Sequence, residues 1–161
     1  MNSLRVFGGL VLMVVGLAVA ATAQDKPSIV RVATSKFATP PGSPACVTTS
    51  ILHGNPNTGA SVLLTKLTPG CVTPWHWHTT NESTVVVSGR FKLEAKGEAV
   101  QNVGVGDYLY MPSKHPHQTT CIAACMLSTT SNSARDIHYI DKDGKEIPPE
   151  QALKLGAKPI K

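Results

Sequence analysis

The stretch Gly70-Cys71-Val72-Thr73-Pro74-Trp75-His76-Trp77-His78-Thr79-Thr80-Asn81-Glu82-Ser83-Thr84-Val85-Val86-Val87-Ser88-Gly89 decides how the chain is read. Thr84-Val85-Val86-Val87 is β-branched throughout, which restricts χ1 and favours a strand over a helix. In a strand, residues i and i+2 share a face, so His76 and His78 point together while Trp75 and Trp77 point the other way. Thr79-Thr80-Asn81 is a polar gap of turn length, and a hairpin there returns Glu82 beside the two imidazoles. A second cluster, His115-Pro116-His117, follows Met111-Pro112 further along and fits another strand folding back onto the first. Two imidazoles and a carboxylate on one face, completed by a third imidazole from a distant strand, make a divalent-metal site with open positions for substrate or dioxygen.

Working outward, strand-like runs recur with Gly, Pro or Asn between them: 46–52, 60–67, 71–77, 83–88, 90–95, 108–111, 117–129 and 136–140. Many short strands at even spacing predict an all-β sandwich or barrel. Ahead of them, Gln24 to Ala45 reads as an extended arm carrying one strand at Ile29-Val30-Arg31-Val32. Behind them, Asp143-Gly144 marks a small hairpin between 139–141 and 145–147. Pro148 to Gly156, with Pro at the start and Gly at the end, predicts one short terminal helix. The division is therefore an arm at 24–45, a barrel at 46–141 and a hairpin and helix tail at 142–161.

At 161 residues, one domain fits and two would be cramped. With 42% hydrophobic and 16% charged residues, disorder, coiled coil and collagen are excluded. A multi-pass membrane protein is excluded too, because the one long apolar run lies at the start. There Met1 to Arg5 is short and basic, Val6 to Ala20 is apolar, and Ala21-Thr22-Ala23 offers small residues before Gln24. That is the layout of a cleaved signal peptide over 1–23. It predicts a periplasmic or secreted protein with no stable membrane anchor after cleavage. The formal net charge is +5, and five of the lysines, Lys142, Lys145, Lys154, Lys158 and Lys161, lie in the last twenty residues. No basic run is interleaved with aromatics, so no nucleic-acid partner is expected.

Export makes disulfides permissible for Cys46, Cys71, Cys121 and Cys125. Sequence alone cannot choose among the three pairings. If 117–129 is a regular strand, Cys121 and Cys125 lie about 13 Å apart at ~3.3 Å per residue, too far to bond each other.

The histidine motifs resemble those of the cupin superfamily. Its first motif is Gly, five residues, His-x-His, three or four residues, Glu, six residues, Gly. Gly70, His76, His78, Glu82 and Gly89 match every fixed position. Its second motif is Gly, five residues, Pro-x-Gly, two residues, His, three residues, Asn. Gly106, Pro112 and His117 match, whereas Lys114 stands for the usual Gly and Cys121 for the usual Asn. The motifs cover 70–121, with a short span of 90–105 between them.

The resemblance implies a double-stranded β-helix, or jelly-roll barrel. It implies a divalent metal ion (Mn, Fe, Ni, Cu or Zn) held by His76, His78, Glu82 and His117, with His115 the competing candidate for the fourth place. It also places the strand after the second motif beside the strand entering the first, which offers a disulfide from Cys71 to Cys121 or Cys125. A homodimer is implied as well. The two departures bear on turn geometry rather than on the ligands. Trp75 and Trp77 read as packing residues, with an interface role as the second possibility, and Tyr108 and Tyr110 read as barrel wall.

Two functional readings follow. The first is an exported metalloenzyme acting on a small oxygen-rich molecule, of dioxygenase, isomerase or lyase type. The second is a non-catalytic metal- or ligand-binding or sensor protein. No separate catalytic acid or base stands inside the motifs, since Glu82 is committed to the metal. Turnover of a small-molecule panel discriminates the two.

Overall fold

The computed structural model describes residues 27–156; the expected signal peptide at 1–23 lies outside the described residues. The chain builds β1 (Val47–Gly54), β2 (Ser61–Leu67), β3 (Val72–Trp77), β4 (Glu82–Ala95), β5 (Gln101–Gly104), β6 (Tyr108–Met111), β7 (His117–Ser131), β8 (His138–Ile140), β9 (Glu146–Ile147) and helix α1 (Pro149–Gly156). All strand pairings are antiparallel. The fold is the expected all-β jelly-roll barrel with a short terminal helix.

The organising element is the long β4–β7 ribbon, paired from Glu82↔Ser131 at one end to Ala95↔His117 at the other. The two runs expected at 83–88 and 90–95 are one strand. The ribbon is interrupted midway by register shifts between Val86 and Phe91. Gly89 sits there with φ +75°, and a Cβ on it would lie 2.2 Å from the Ala124 carbonyl oxygen. Only glycine permits both the left-handed backbone and that approach. On either side of this corner β7 changes partner: residues 125–131 pair with β2, and 117–120 with β3. The ribbon therefore folds over and brings its two ends, with Glu82 and His117, to the same side of the barrel.

The corner corrects the cysteine geometry. Cys121 and Cys125 are bonded to each other with Cα atoms 6.1 Å apart, and Cys46 is bonded to Cys71. The ~13 Å separation assumed a regular strand, but the extra residues of the bulge shorten the path. Cys71 and Cys121 are indeed neighbours, since Cys121 N–H donates to the Cys71 carbonyl at 2.8 Å. Their sulfurs nevertheless take other partners. Both disulfides lie in the main core, with Val86, Phe91, Leu93, Val103 and Met111.

Two further expectations change. The strand at 29–32 is replaced by a 3-10 turn at Val32–Thr34, because the Thr34 and Ser35 hydroxyls both donate to the Arg31 carbonyl and compete with extension. Strand β5 was not expected: only Val103 in it is buried, so it carries no alternation to read. The 139–141/145–147 hairpin and the terminal helix appear close to where they were expected. Tyr139, Ile147 and Ala152 form a small separate core beneath α1.

Candidate metal centre

His76 and His78 project from the end of β3, and His117 opens β7, where it is the register partner of His76. All three are buried. Their ligating nitrogens lie within 4.8 Å of one another. Ring centroids are 4.2 Å apart for His76–His117, 4.8 Å for His76–His78 and 5.6 Å for His78–His117.

Each ring is oriented by a backbone carbonyl. His76 Nδ1 meets the Pro74 oxygen at 2.6 Å, His117 Nδ1 meets the His115 oxygen at 3.0 Å, and His78 Nδ1 meets the Asp136 oxygen. A carbonyl only accepts, so each Nδ1 carries the proton and each Nε2 presents a bare lone pair. This is the tautomer and the orienting contact that metal-bound imidazoles use. Burial pushes all three imidazoles below their ordinary range, His78 to about 4, and keeps them neutral. His78 Nε2 is buried with no hydrogen-bond partner. A buried orphan nitrogen costs about 1–3 kcal/mol unless something satisfies it, and a divalent ion fits this donor set.

Glu82 lies beside the triad, with Oε2 3.4 Å from His78 Nε2. Its other oxygen is taken by Arg135, whose Nε donates to Oε1 at 2.7 Å and whose Nη2 forms an ion pair with the same atom. Burial pushes the Glu82 carboxyl up. The Arg135 guanidinium, with the nearby histidines, outweighs that and holds it at about 2. Glu82 is thus ionised, buried and shared. His115 stands outside the triad and contributes its carbonyl to His117.

The turn at Lys114 shows how the second motif tolerates its departure. Lys114 holds φ 59°, the left-handed conformation that glycine supplies in the family pattern. The turn is braced against the first motif: Lys114 N–H donates to the His78 carbonyl at 2.8 Å, Ser113 N–H to Asn81 Oδ1 at 2.7 Å, and the Ser113 hydroxyl to the Thr79 carbonyl at 2.6 Å.

Sequence reasoning missed Arg135, Asp136 and His138. They follow β7 in a polar segment with no motif around them. Asp136 accepts from the Thr79 N–H and hydroxyl, and so anchors the turn between His78 and Glu82. His138 stacks on Trp77 at 3.9 Å, giving that tryptophan a packing role.

The family model described as "Cupin domain" matches residues 63–127. Residues 63–127 are thus a cupin domain. Among solved structures, the chain is similar to the polyketide cyclase RemF from Streptomyces resistomycificus. Identity is 19%, coverage is 80% of this chain and 99% of that one, and the TM-score is 0.61. It is similar to an acetylacetone dioxygenase from Acinetobacter johnsonii at 19% identity, covering 85% and 97%, with TM-score 0.60. It is also similar to an RmlC-like cupin from Shewanella frigidimarina at 17% identity, covering 68% and 93%, with TM-score 0.57. These likenesses concern the fold of the chain. No curated protein matches the chain.

Proposed function

We propose that this cupin is an exported metalloprotein that holds a divalent ion through Nε2 of His76, His78 and His117, with Glu82 as the fourth ligand, and acts on a small oxygen-rich molecule. The observation that carries this reading is the trio of Nδ1-to-carbonyl contacts, which leaves the Nε2 lone pair of three buried, clustered histidines free of a backbone partner. The cyclase and dioxygenase neighbours support a small-molecule substrate and a dioxygenase, isomerase or lyase type of reaction. When bound, the ion would supply Lewis acidity or dioxygen activation. The chain's own residues do the rest. The carbonyls of Pro74, His115 and Asp136 fix the rings, Arg135 keeps Glu82 ionised, and the barrel wall excludes bulk water.

A non-catalytic binding role draws on one observation: Glu82, the carboxylate at the triad, is tied to Arg135 and is not free to move protons. Export draws on residues 1–23 and on the pairing of all four cysteines, which fits an oxidising compartment. A homodimer draws on the exposed apolar surface of Val85, Val87, Tyr108 and Tyr110.

Elemental analysis of the folded protein tests the central reading. The expected result is about one metal per chain, falling to background in His76→Ala and in His117→Ala, as loss of one of four ligands predicts. Folded protein that neither contains nor takes up metal would remove the metalloprotein reading. Turnover of a panel of small oxygenated compounds by the loaded protein then separates enzyme from binder.

A further inference from the structure

The barrel holds an unsatisfied polar row that the metal ligands do not explain. Ser131 is the register partner of Ser61 on one side and of Glu82 on the other. Register partners share a face, so Ser61, Ser131 and Glu82 form one inward row across β2, β7 and β4. Both serines are 2% exposed, and neither hydroxyl has a hydrogen-bond partner. The next row inward is different: Thr84 and Thr129 bond each other at 2.9 Å beside Leu63.

A cleft of about 480 Å³ opens between the arm and the inner face of β1–β2, and it meets this row through Arg135, while neither serine lines it. Pro40, Pro41, Ile51, Leu63 and Ile137 give it apolar walls, and Arg135 lies in its lining. Leu63 and Ser61 share a face two residues apart on β2, and Arg135 reaches Glu82 of the same row. The bonds to Glu82 involve Nε and Nη2, and a guanidinium has five N–H donors in all. Hydrogens thus remain to bind a second anion. With Glu82 already balanced by Arg135, a divalent ion on the triad would leave the buried site positively charged, which favours an anionic ligand.

We propose that Arg135, Ser61 and Ser131 form a carboxylate-recognition subsite for a small organic acid that carries a second oxygen beside the carboxylate and an apolar body seated in this cleft. Arg135 takes the carboxylate, the two serine hydroxyls serve the remaining oxygens, and the proline and aliphatic walls cover the hydrocarbon. This rests on the metalloprotein reading and narrows its substrate to a monoanionic acid.

The test is calorimetric titration of the metal-loaded protein with 4-methyl-2-oxopentanoate and, in parallel, its methyl ester, with metal content measured on the same samples. The acid is expected to bind at least about tenfold tighter than the ester, since the ester removes the charge that Arg135 reads. Arg135→Gln is expected to erase that preference, and Arg135→Lys to restore part of it. Ser61→Ala/Ser131→Ala is expected to weaken the acid at least about fivefold while leaving the thermal midpoint unchanged or raised, because these hydroxyls hold nothing in the folded chain. Serines with a purely structural role would lower that midpoint instead. Equal binding of acid and ester, no binding of either, or unaltered binding in the serine variant overturns the proposal, and the serine variant decides alone if Arg135→Gln does not fold. Failure with one metal per chain present leaves the metalloprotein reading standing, whereas protein without metal counts against that reading.

Discussion

The corner and the mouth of the folded β4–β7 ribbon use the same two strands and opposite materials. At the corner, Val86, Phe91, Cys121 and Cys125 are buried among other apolar side chains. At the mouth, Glu82, Thr84, His117, Thr129 and Ser131 are just as buried and all polar. Burial at the corner stabilises the fold, at roughly 25 cal/mol per Å² of apolar surface. Burial at the mouth opposes folding unless each group is paired, and His78 Nε2, Ser61 and Ser131 are not. One end holds the barrel together, and the other carries buried polar groups without partners.

Breaking the corner is expected to cost most. Phe91 is 2% exposed, and Phe91→Ala is expected to destabilise by about 3–5 kcal/mol in denaturant unfolding. The metal stoichiometry of the folded fraction should not change. If metal is lost in proportion to stability, the two ends are not independent.

Acid attacks the mouth instead. The His78 imidazole is held at about 4 against its ordinary 6.5. Between those values the unfolded chain binds a proton that the folded chain refuses. Stability is whole above 6.5 and is lost as pH falls toward 4, with about 3 kcal/mol at stake for this group. Glu82, held at about 2 against 4.5, extends the loss to lower pH with the same sign. Denaturant midpoints of the metal-free protein between pH 7 and pH 4.5 read this directly. Phe91→Ala should keep the same pH slope from a lower starting point.

The disulfides sharpen the comparison further. Cys121–Cys125 closes a separation of 4 residues and Cys46–Cys71 one of 25. Loop-closure entropy then predicts that Cys121→Ser/Cys125→Ser costs about 2 kcal/mol and Cys46→Ser/Cys71→Ser about 3.5 kcal/mol. Thermal unfolding of the two double variants should rank them in that order. The reverse order would mean that the short bridge acts on the folded corner rather than on the unfolded chain.

The smallest effect is expected at the rim. Lys114→Gly relieves the left-handed backbone at φ 59° and should stabilise by up to about 1 kcal/mol, reduced by the extra freedom glycine gives the unfolded chain. Metal content should be unchanged, because the turn contributes its backbone, through Lys114 N–H and the His78 carbonyl.

His76, His78 and the Val-rich run after Glu82 were legible because strand periodicity assigns faces without knowledge of partners. His117 was legible by its place in a spaced pattern, and the structure sets it against His76. Arg135 was not legible, because its contact with Glu82 spans 53 positions and depends on where the chain goes after β7. The cysteine pairing failed for a related reason: a period of two residues holds only in a regular ladder, and the bulge opposite Gly89 breaks it.

By itself the sequence determined the strand alternation and the hairpin that presents two imidazoles. These rest on local rules of side-chain direction and backbone sterics. Only the tertiary structure decided which cysteines bond, that Arg135 shares Glu82, and that Ser61 and Ser131 face inward without partners. Each of these depends on strands distant in sequence meeting across a folded ribbon, and no local rule carries that information.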